Sequence, residues 1–255
     1  MSARAVPLPE QPQDEASLEA GVPVSRETLP AAASVVAGAR ASLLGSFADL
    51  LATEGVTRGL LGPREAPKVW ERHLLNCAVV AECASPAVDV ADIGSGAGLP
   101  GLVWAICRPY LNVTLVEPLL RRVTFLQDVS ERLELTNTEL VRARAEELHG
   151  QRTFDVVTSR AVAPLGRLAS WCLPLVRPGG SMVAIKGASA GDEIEAAGAD
   201  VRRLGGMTPV LKEHGRGLVD PSAWAVHIER SRRSRQVGSG QRSPRRRAPR
   251  GRGTA

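Results

Sequence analysis

The chain has 255 residues, enough for one large domain or two small ones, and its 44% apolar content is ordinary for a globular protein. No uninterrupted apolar run approaches the length of a membrane span, and the N-terminus lacks a secretory signal pattern, so we expect no membrane association. The four cysteines form no C-x-x-C pair and are too sparse for a disulfide framework, which favours a reducing, cytoplasmic setting.

The net charge of +5 is unevenly distributed along the chain. Residues 230–255 carry ten arginines and no acid, whereas the rest holds 22 basic and 27 acidic residues. A tail of Arg, Ser, Gly and Pro is too polar to form a core, so we expect it to be disordered. It either binds nucleic-acid phosphates without reading sequence or is a solubilising extension. Residues 1–30, with five prolines, are also expected to be disordered, which leaves a folded domain at 31–229.

The folded region divides into a helical extension, residues 31–87, and a core, residues 88–229, in which strands and helices alternate. Predicted helices cover 31–52, 70–83, 99–107, 119–133, 164–176 and 191–204, with a helical turn at 145–148. Predicted strands cover 88–93, 112–117, 138–141, 154–158, 181–185, 208–213 and 224–229. This alternation predicts an α/β fold: a doubly wound, Rossmann-like, mostly parallel sheet of seven strands with helices on both faces. Ligands of such sheets bind at the carboxyl ends of the strands.

A glycine-dense turn follows the first predicted strand, with the sequence DIGSGAGLPG at 92–101. Glycines permit positive φ and a close approach of the backbone to a ligand, and the following helix directs its free N–H groups there. The spacing is G-x-G-x-G, which differs from the dinucleotide pattern G-x-G-x-x-G. The turn is therefore either a cofactor site or a plain connection. Glu117, at the tip of the second predicted strand, favours the cofactor site, because a carboxylate at this point accepts hydrogen bonds from ribose hydroxyls.

Six segments in order resemble the class I S-adenosylmethionine-dependent methyltransferases, and more narrowly the GidB/RsmG family, the bacterial 16S rRNA guanine-N7 methyltransferases. They are ERHLLN at 71–76, DIGSGAGLPG at 92–101, RRVTFL at 121–126, RARAEE at 142–147, TSRAVA at 158–163 and AIKG at 184–187. The resemblance covers about residues 68–229. The chain departs from the family at 53–69, which is rich in Gly and Pro and lacks the family's usual Trp-Asn-x-x-Tyr-Asn-Leu-Thr segment.

The resemblance implies a role for each matching position. S-adenosylmethionine would be bound by residues of the glycine turn, the second strand end and the segments after the third and fourth strands: Gly94, Gly96, Gly98, Leu99, Glu117, Ala145, Glu146 and Arg160. Catalysis would depend on positioning by Arg160 and Lys186, RNA contact on Arg121, Arg144 and Lys186, and no metal is implied. Two milder interpretations stay open: Arg121 can belong to a solvated helix face, and Lys186 can be a strand-end charge. His73 matches a family position, but a helical histidine is as often packed or capping.

The implied reaction is methyl transfer to guanine N7 of 16S rRNA, free or within the small subunit, by a cytoplasmic monomer. N7 exposes a lone pair and loses no proton, so no general base is required, and the enzyme contributes alignment and electrostatic balance. Two alternatives remain: a methyltransferase for a non-RNA substrate, and a ribosome-assembly RNA-binding protein with little catalysis. A nicotinamide oxidoreductase is disfavoured by the glycine spacing.

Overall fold

The computed structural model describes residues 29–160, 163–187 and 190–232, and its centre is one seven-stranded sheet. The strands are β1 (Asp89–Ile93), β2 (Asn112–Val116), β3 (Thr138–Val141), β4 (Phe154–Arg160), β5 (Val176–Lys186), β6 (Val210–His214) and β7 (Ala223–Glu229). Their order is β3-β2-β1-β4-β5-β7-β6, and only β7 pairs antiparallel with its neighbours. The predicted α/β fold with a mostly parallel sheet is confirmed.

Helices cover both faces of the sheet and precede it. They are α1 (Ala31–Ala37), α2 (Ala41–Leu50), α3 (Leu75–Val80), α4 (Gly101–Cys107), α5 (Leu120–Arg132), α6 (Leu165–Cys172) and α7 (Gly191–Arg203). A 3₁₀ turn joins α1 to α2, and a π-helical turn extends α2 to Gly55, so the predicted helix 31–52 is one helical stretch. The predicted helix 70–83 consists of a π-helical segment Val69–Leu74, α3 and a 3₁₀ turn Ala81–Cys83.

Strands β1 and β2 are buried beyond their first residues because helices cover both of their faces. Val90, Ala91, Val113 and Leu115 are all buried, as expected of central parallel strands. Helix α4 is buried on every side, which explains why its sequence is continuously apolar rather than amphipathic. The turn before α4 is therefore held between buried elements.

The N-terminal helices form part of the main core. Trp104 of α4 donates its indole N–H to the carbonyl of Cys77 at 3.0 Å, and Arg108 donates to the carbonyl of Val36 at 2.8 Å. Arg58 bridges Glu54 (2.9 Å) and Asp128 of α5 (2.6 Å). These contacts join α3 to α4, α1 to the end of α4, and the end of the first helical stretch to α5.

Within the described residues, one helical stretch, Ala31–Gly55, is long and apolar enough to cross a membrane by length and composition alone. Polar residues interrupt this stretch, so its sequence contains no apolar run of that length. In its most apolar window, 44% of the residues are buried inside the protein, and Leu44, Phe47 and Leu51 are fully buried in the core.

Strand β5 begins earlier than predicted. Residues 177–180, expected as a loop because of their Pro-Gly-Gly sequence, form an irregular part of the strand in which the register with β4 shifts. A Cβ on Gly180 would lie 2.4 Å from the carbonyl oxygen of Asp155, so only glycine fits there. The backbone of Gly180 accepts from the N–H of Arg230 and that of Gly205 from the N–H of Ser231, both at 2.9 Å, so paired backbone continues two residues past the predicted boundary at 229. The expectations for residues 1–28 and 233–255 lie outside the described residues.

Candidate active site

The glycine turn after β1 folds back onto the end of β2. Gly94, Gly96 and Gly98 have φ of +71°, +60° and +88°, a left-handed region that residues with a Cβ rarely adopt. The carbonyl oxygen of Val116 accepts from the N–H groups of both Gly94 (2.9 Å) and Ser95 (3.2 Å). The turn therefore lies across the carboxyl ends of β1 and β2.

Gly98 and Gly101 are required for packing. A Cβ on Gly98 would lie 2.3 Å from Cδ1 of Leu102, and one on Gly101 would lie 2.6 Å from Oδ2 of Asp92. A Cβ on Gly96 would meet only the carbonyl oxygen of Gly94, at 3.7 Å. Close-packed neighbours therefore require glycine at positions 98 and 101, whereas Gly96 faces open space.

Asp92, the penultimate residue of β1, stabilises the glycine turn through two hydrogen bonds. Its Oδ2 accepts from the Ser95 hydroxyl at 2.7 Å and from the Gly101 N–H at 2.9 Å. Its Oδ1 is buried without a hydrogen-bond partner among the described residues. Burial raises the pKa of this carboxyl to about 6, and the nearby Glu117 charge adds to the shift.

Glu117 follows β2 and is 1% exposed. Its Oε2 accepts from the Gly96 N–H at 3.0 Å and lies 3.4 Å from NH1 of Arg122, and its Oε1 accepts from the Leu119 N–H at 3.1 Å. Each carboxylate oxygen has two lone pairs, so Oε1 retains one for a ligand hydroxyl. The carboxylate thus lies against the glycine turn with an acceptor position unused.

A cavity of about 700 Å³ opens above these groups. Of the predicted cofactor residues, it is lined by Gly94, Gly96, Leu99, Glu117, Ala145, Glu146 and Arg160. Gly98 does not line it and acts through the packing described above. Other walls come from Leu60, Leu61, His73, Arg122, Arg167 and Trp171, which the sequence analysis did not select for this cavity.

Arg160 ends β4 and forms part of the wall on the side of the N-terminal helices. Its NH2 lies 2.7 Å from Nδ1 of His73 and donates to the carbonyl of Arg72 at 2.9 Å. Nε2 of His73 is 3.1 Å from Oε2 of Glu65. Arg160 is thus joined to His73 and Arg72, which precede it in the chain by 87 and 88 positions.

A second cavity, also about 700 Å³, lies on the other side of Arg160 and His73. It is bounded by the ends of β4 and β5, the start of β7, and the helical segment that contains Asn76, with Trp224 half-buried in its wall. Oδ1 of Asn76 is buried and has no hydrogen-bond partner in the described part of the chain. Lys186 also lines this cavity, where its Nζ donates to the Ala163 carbonyl at 2.7 Å and to Glu193 at 2.8 Å.

The three predicted RNA-contacting residues are therefore spread over different places. Lys186 is in the second cavity and compensated by Glu193, and Arg144 is exposed at the mouth of the first cavity. Arg121 is exposed on α5 and lines neither cavity. Neither the Arg121 nor the Arg144 side chain has a partner within the described residues. No group of three His, Cys, Asp or Glu side chains in residues 29–160, 163–187 and 190–232 is arranged to hold a metal ion.

A nucleoside-bearing cofactor fits the first cavity. The volume is in the usual range for such ligands, and the position of a Gly96 Cβ is open space. Glu117 keeps an acceptor for a ribose hydroxyl, while the small Ala145 and the apolar Leu60 and Leu61 border space for a flat base. The cavity lies where the strand order reverses between β1 and β4, the usual ligand position in open α/β sheets.

The fold and this site define a class I S-adenosylmethionine-dependent methyltransferase. A family model, GidB, described as rRNA small subunit methyltransferase G, matches residues 40–217. The chain belongs to this family.

Two relatives that carry the family's name support the same assignment. A protein from a Nocardioides strain, named ribosomal RNA small subunit methyltransferase G, is 54% identical over 208 residues, which cover 80% of this chain and 83% of that protein. A protein of the same name from Corynebacterium glutamicum is 47% identical over 208 residues, with 80% and 93% covered. Among solved structures, a SAM-dependent methyltransferase from Aquifex aeolicus has a TM-score of 0.47 at 16% identity, covering 64% of this chain and 93% of that one.

Proposed function

We propose that this protein transfers a methyl group from S-adenosylmethionine to N7 of a guanine in 16S rRNA of the small ribosomal subunit. The observation that carries the proposal is the pair of neighbouring cavities that share Arg160 and His73 as a wall. One cavity suits the methyl donor, and the other suits a base turned out of the RNA. Relatives that share about half of this sequence carry a name for this activity on small-subunit rRNA.

In the first cavity, we assign cofactor binding to Gly94, Gly96, Leu99, Glu117, Ala145, Glu146 and Arg160, with Gly98 shaping the turn from outside. Glu117 would accept a ribose hydroxyl with its unused lone pair. When bound, S-adenosylmethionine supplies an electrophilic methyl group on a positively charged sulfur. The close approach of the glycine turn and the Glu117 carboxylate would fix the nucleoside end of the ligand, so that its reactive end is directed at the shared wall.

In the second cavity, we assign base binding to the half-buried Trp224, as a stacking surface, and to Asn76, as a hydrogen-bonding group. Lys186 lies beside this cavity, held by Glu193 and the Ala163 carbonyl, and it would orient the base by contact with an acceptor. The exposed Arg121 and Arg144 side chains have no partner among the described residues and would contact RNA phosphates.

The residues near the shared wall suit alignment better than proton transfer. His73 already lies within hydrogen-bond distance of groups on both ring nitrogens, and Lys186 already donates twice. Attack by N7 releases no proton, so the proposed reaction needs alignment by these residues and no general base. The chain's own residues would hold the base and the methyl donor in line. Such alignment supplies a large part of the reduction in the activation barrier.

The deciding experiment incubates the purified full-length protein with labelled S-adenosylmethionine and small subunits, or their RNA, from cells that lack this methylation. We expect labelled N7-methylguanosine at one position, identified by nucleoside mapping. Label on another nucleoside would overturn the assignment to N7. No label with subunits or free RNA would favour an RNA-binding protein or a different substrate.

The setting of this reaction follows from the same assignment. We propose a cytoplasmic monomer that acts without a membrane, with a domain at 31–229 and an arginine-rich tail at 230–255 that contacts RNA phosphates.

A further inference from the structure

The ring of His73 lies between an acidic side chain, that of Glu65, and a guanidinium, that of Arg160. Glu65 precedes the π-helical segment, and Arg160 ends β4. The side chain of His73 is 13% exposed, and both ring nitrogens are within hydrogen-bond distance of these partners, at 3.1 Å and 2.7 Å.

The contacts determine which ring nitrogen carries the proton. A guanidinium has donors only, so the NH2 group of Arg160 must donate to Nδ1, which is therefore unprotonated. The proton of the neutral ring is then on Nε2, which donates to Oε2 of Glu65. The other oxygen of Glu65 accepts from NH1 of Arg72 at 2.9 Å, which fixes the carboxylate in turn.

Arg160 is held by neutral acceptors. Besides His73, they are the Arg72 carbonyl at 2.9 Å and the Cys77 sulfur at 3.5 Å, all from residues 72–77. Within the described part of the chain, no carboxylate forms an ion pair with Arg160. Its positive charge therefore stays available at the wall between the two cavities.

We propose that Glu65 and His73 are positioning residues for Arg160: Glu65 holds His73 in the tautomer that accepts from the guanidinium, and His73 fixes the guanidinium between methyl donor and base. This inference rests on the proposed function, because that function places Arg160 in contact with both the methyl donor and the base. Arg160 in this place would orient acceptor atoms of the base and keep its N7 in line with the methyl group.

Replacement of Glu65 by glutamine tests the tautomer directly. A glutamine amide can donate to Nε2 of His73, which allows the ring proton to move to Nδ1. Nδ1–H would then face the N–H of Arg160, and the guanidinium would lose its acceptor. Protonation of His73 has the same consequence. The charged groups that face the ring are Glu65, Arg72 and Arg160, and burial together with Arg160 holds the pKa of His73 below its ordinary value of 6.5.

The experiment compares Glu65→Gln, His73→Ala and His73→Asn in full-length protein with small subunits as substrate. We expect kcat/KM to fall about tenfold or more in the first two, since a misplaced group costs up to about a hundredfold. His73→Asn should retain more activity, because its amide oxygen can accept from Arg160. The wild type should lose activity as pH falls through the lowered pKa of His73, and His73→Asn should not show this limb. His214→Ala, which removes a histidine of lowered pKa that lines neither cavity, is the control and should match the wild type.

A nitrogen-15 NMR spectrum of the His73 ring gives a readout without turnover. It should show Nδ1 unprotonated in the wild type and a larger protonated fraction at Nδ1 in Glu65→Gln, because the glutamine amide can either accept from Nε2 or donate to it. Wild-type activity in His73→Ala, or a protonated Nδ1 in the wild type, would overturn the inference and leave the proposed function intact. Failure of the wild type to methylate RNA would overturn the proposed function, while the ring tautomer would still test the role of Glu65.

Discussion

Gly96 and Gly98 differ in what surrounds them, although the sequence presents them as equivalent members of one motif. Gly98→Ala would place a methyl group 2.3 Å from a carbon of the buried Leu102. Gly96→Ala would add a methyl group in open space beside the cofactor cavity, at a backbone conformation that costs a residue with a Cβ about 1–2 kcal/mol. We therefore expect Gly98→Ala to lower the melting temperature clearly more than Gly96→Ala does.

The same pair should separate folding from binding. Gly96→Ala should fold and yet bind S-adenosylmethionine at least about tenfold more weakly, because the added methyl group occupies ligand space. Thermal unfolding and cofactor titration of both variants check this. Equal losses of stability in the two variants would contradict the packing difference.

Asp92 should make the stability of the protein depend on pH in an unusual direction. Its pKa is raised from 3.8 to about 6, so the folded state favours the protonated form, and the benefit is lost as pH rises through about 6. Asp92→Asn cannot ionise. We expect the free energy of unfolding of the wild type to fall relative to this variant by about 1–2 kcal/mol between pH 5 and pH 8. Urea unfolding of the cofactor-free proteins at both pH values measures this difference. A constant difference would mean that the buried carboxyl is not protonated in the folded state.

At the scale of elements, most of the fold could be predicted from the sequence, since strands buried on both faces and amphipathic helices leave strong patterns. The early start of β5 could not, because Pro-Gly-Gly is typical of a turn and only the close approach of the Asp155 carbonyl requires Gly180. The glycine turn and Glu117 could be predicted from their spacing. The contact of His73 with Arg160 could not, because nothing local relates residues 87 positions apart.

Replacement of Asn76, a residue of α3, should affect stability and activity differently. Its amide oxygen is buried without a partner among the described residues, so Asn76→Ala should leave the melting temperature unchanged or raise it. The same change should lower kcat/KM for small subunits about tenfold, with cofactor affinity unchanged. Asn137→Ala is the matched control: Asn137 donates to the carbonyls of Ala105 and Leu111, so its loss should reduce stability without affecting base binding. Unchanged kinetics in Asn76→Ala would remove this residue from the base site.

At the scale of the whole molecule, the basic tail can be separated from the folded part. The backbone of Arg230 pairs with Gly180 and Gly179, that of Ser231 pairs with Gly205, and the Arg232 side chain lies against Gly179, so a truncation must begin after Arg232. Removal of residues 233–255 deletes eight arginines. We expect weaker RNA binding and a shallower dependence on salt, by about 0.7 in logarithmic slope for each phosphate that the tail neutralises. Binding measured over a range of salt concentrations checks this, with cofactor affinity as the control. An unchanged slope would show that the tail does not contact phosphates.

The wall shared by the two cavities has a consequence for inhibition. A compound that joins an adenosine-like group to a purine would occupy both cavities at once, provided that its linker passes beside the Arg160 guanidinium. Joining the two groups makes the second binding event intramolecular, so the affinity gain depends on linker length and stiffness. A positively charged linker would be repelled by Arg160. A linker with a carboxylate would be attracted, because no carboxylate in the described part of the chain forms an ion pair with Arg160.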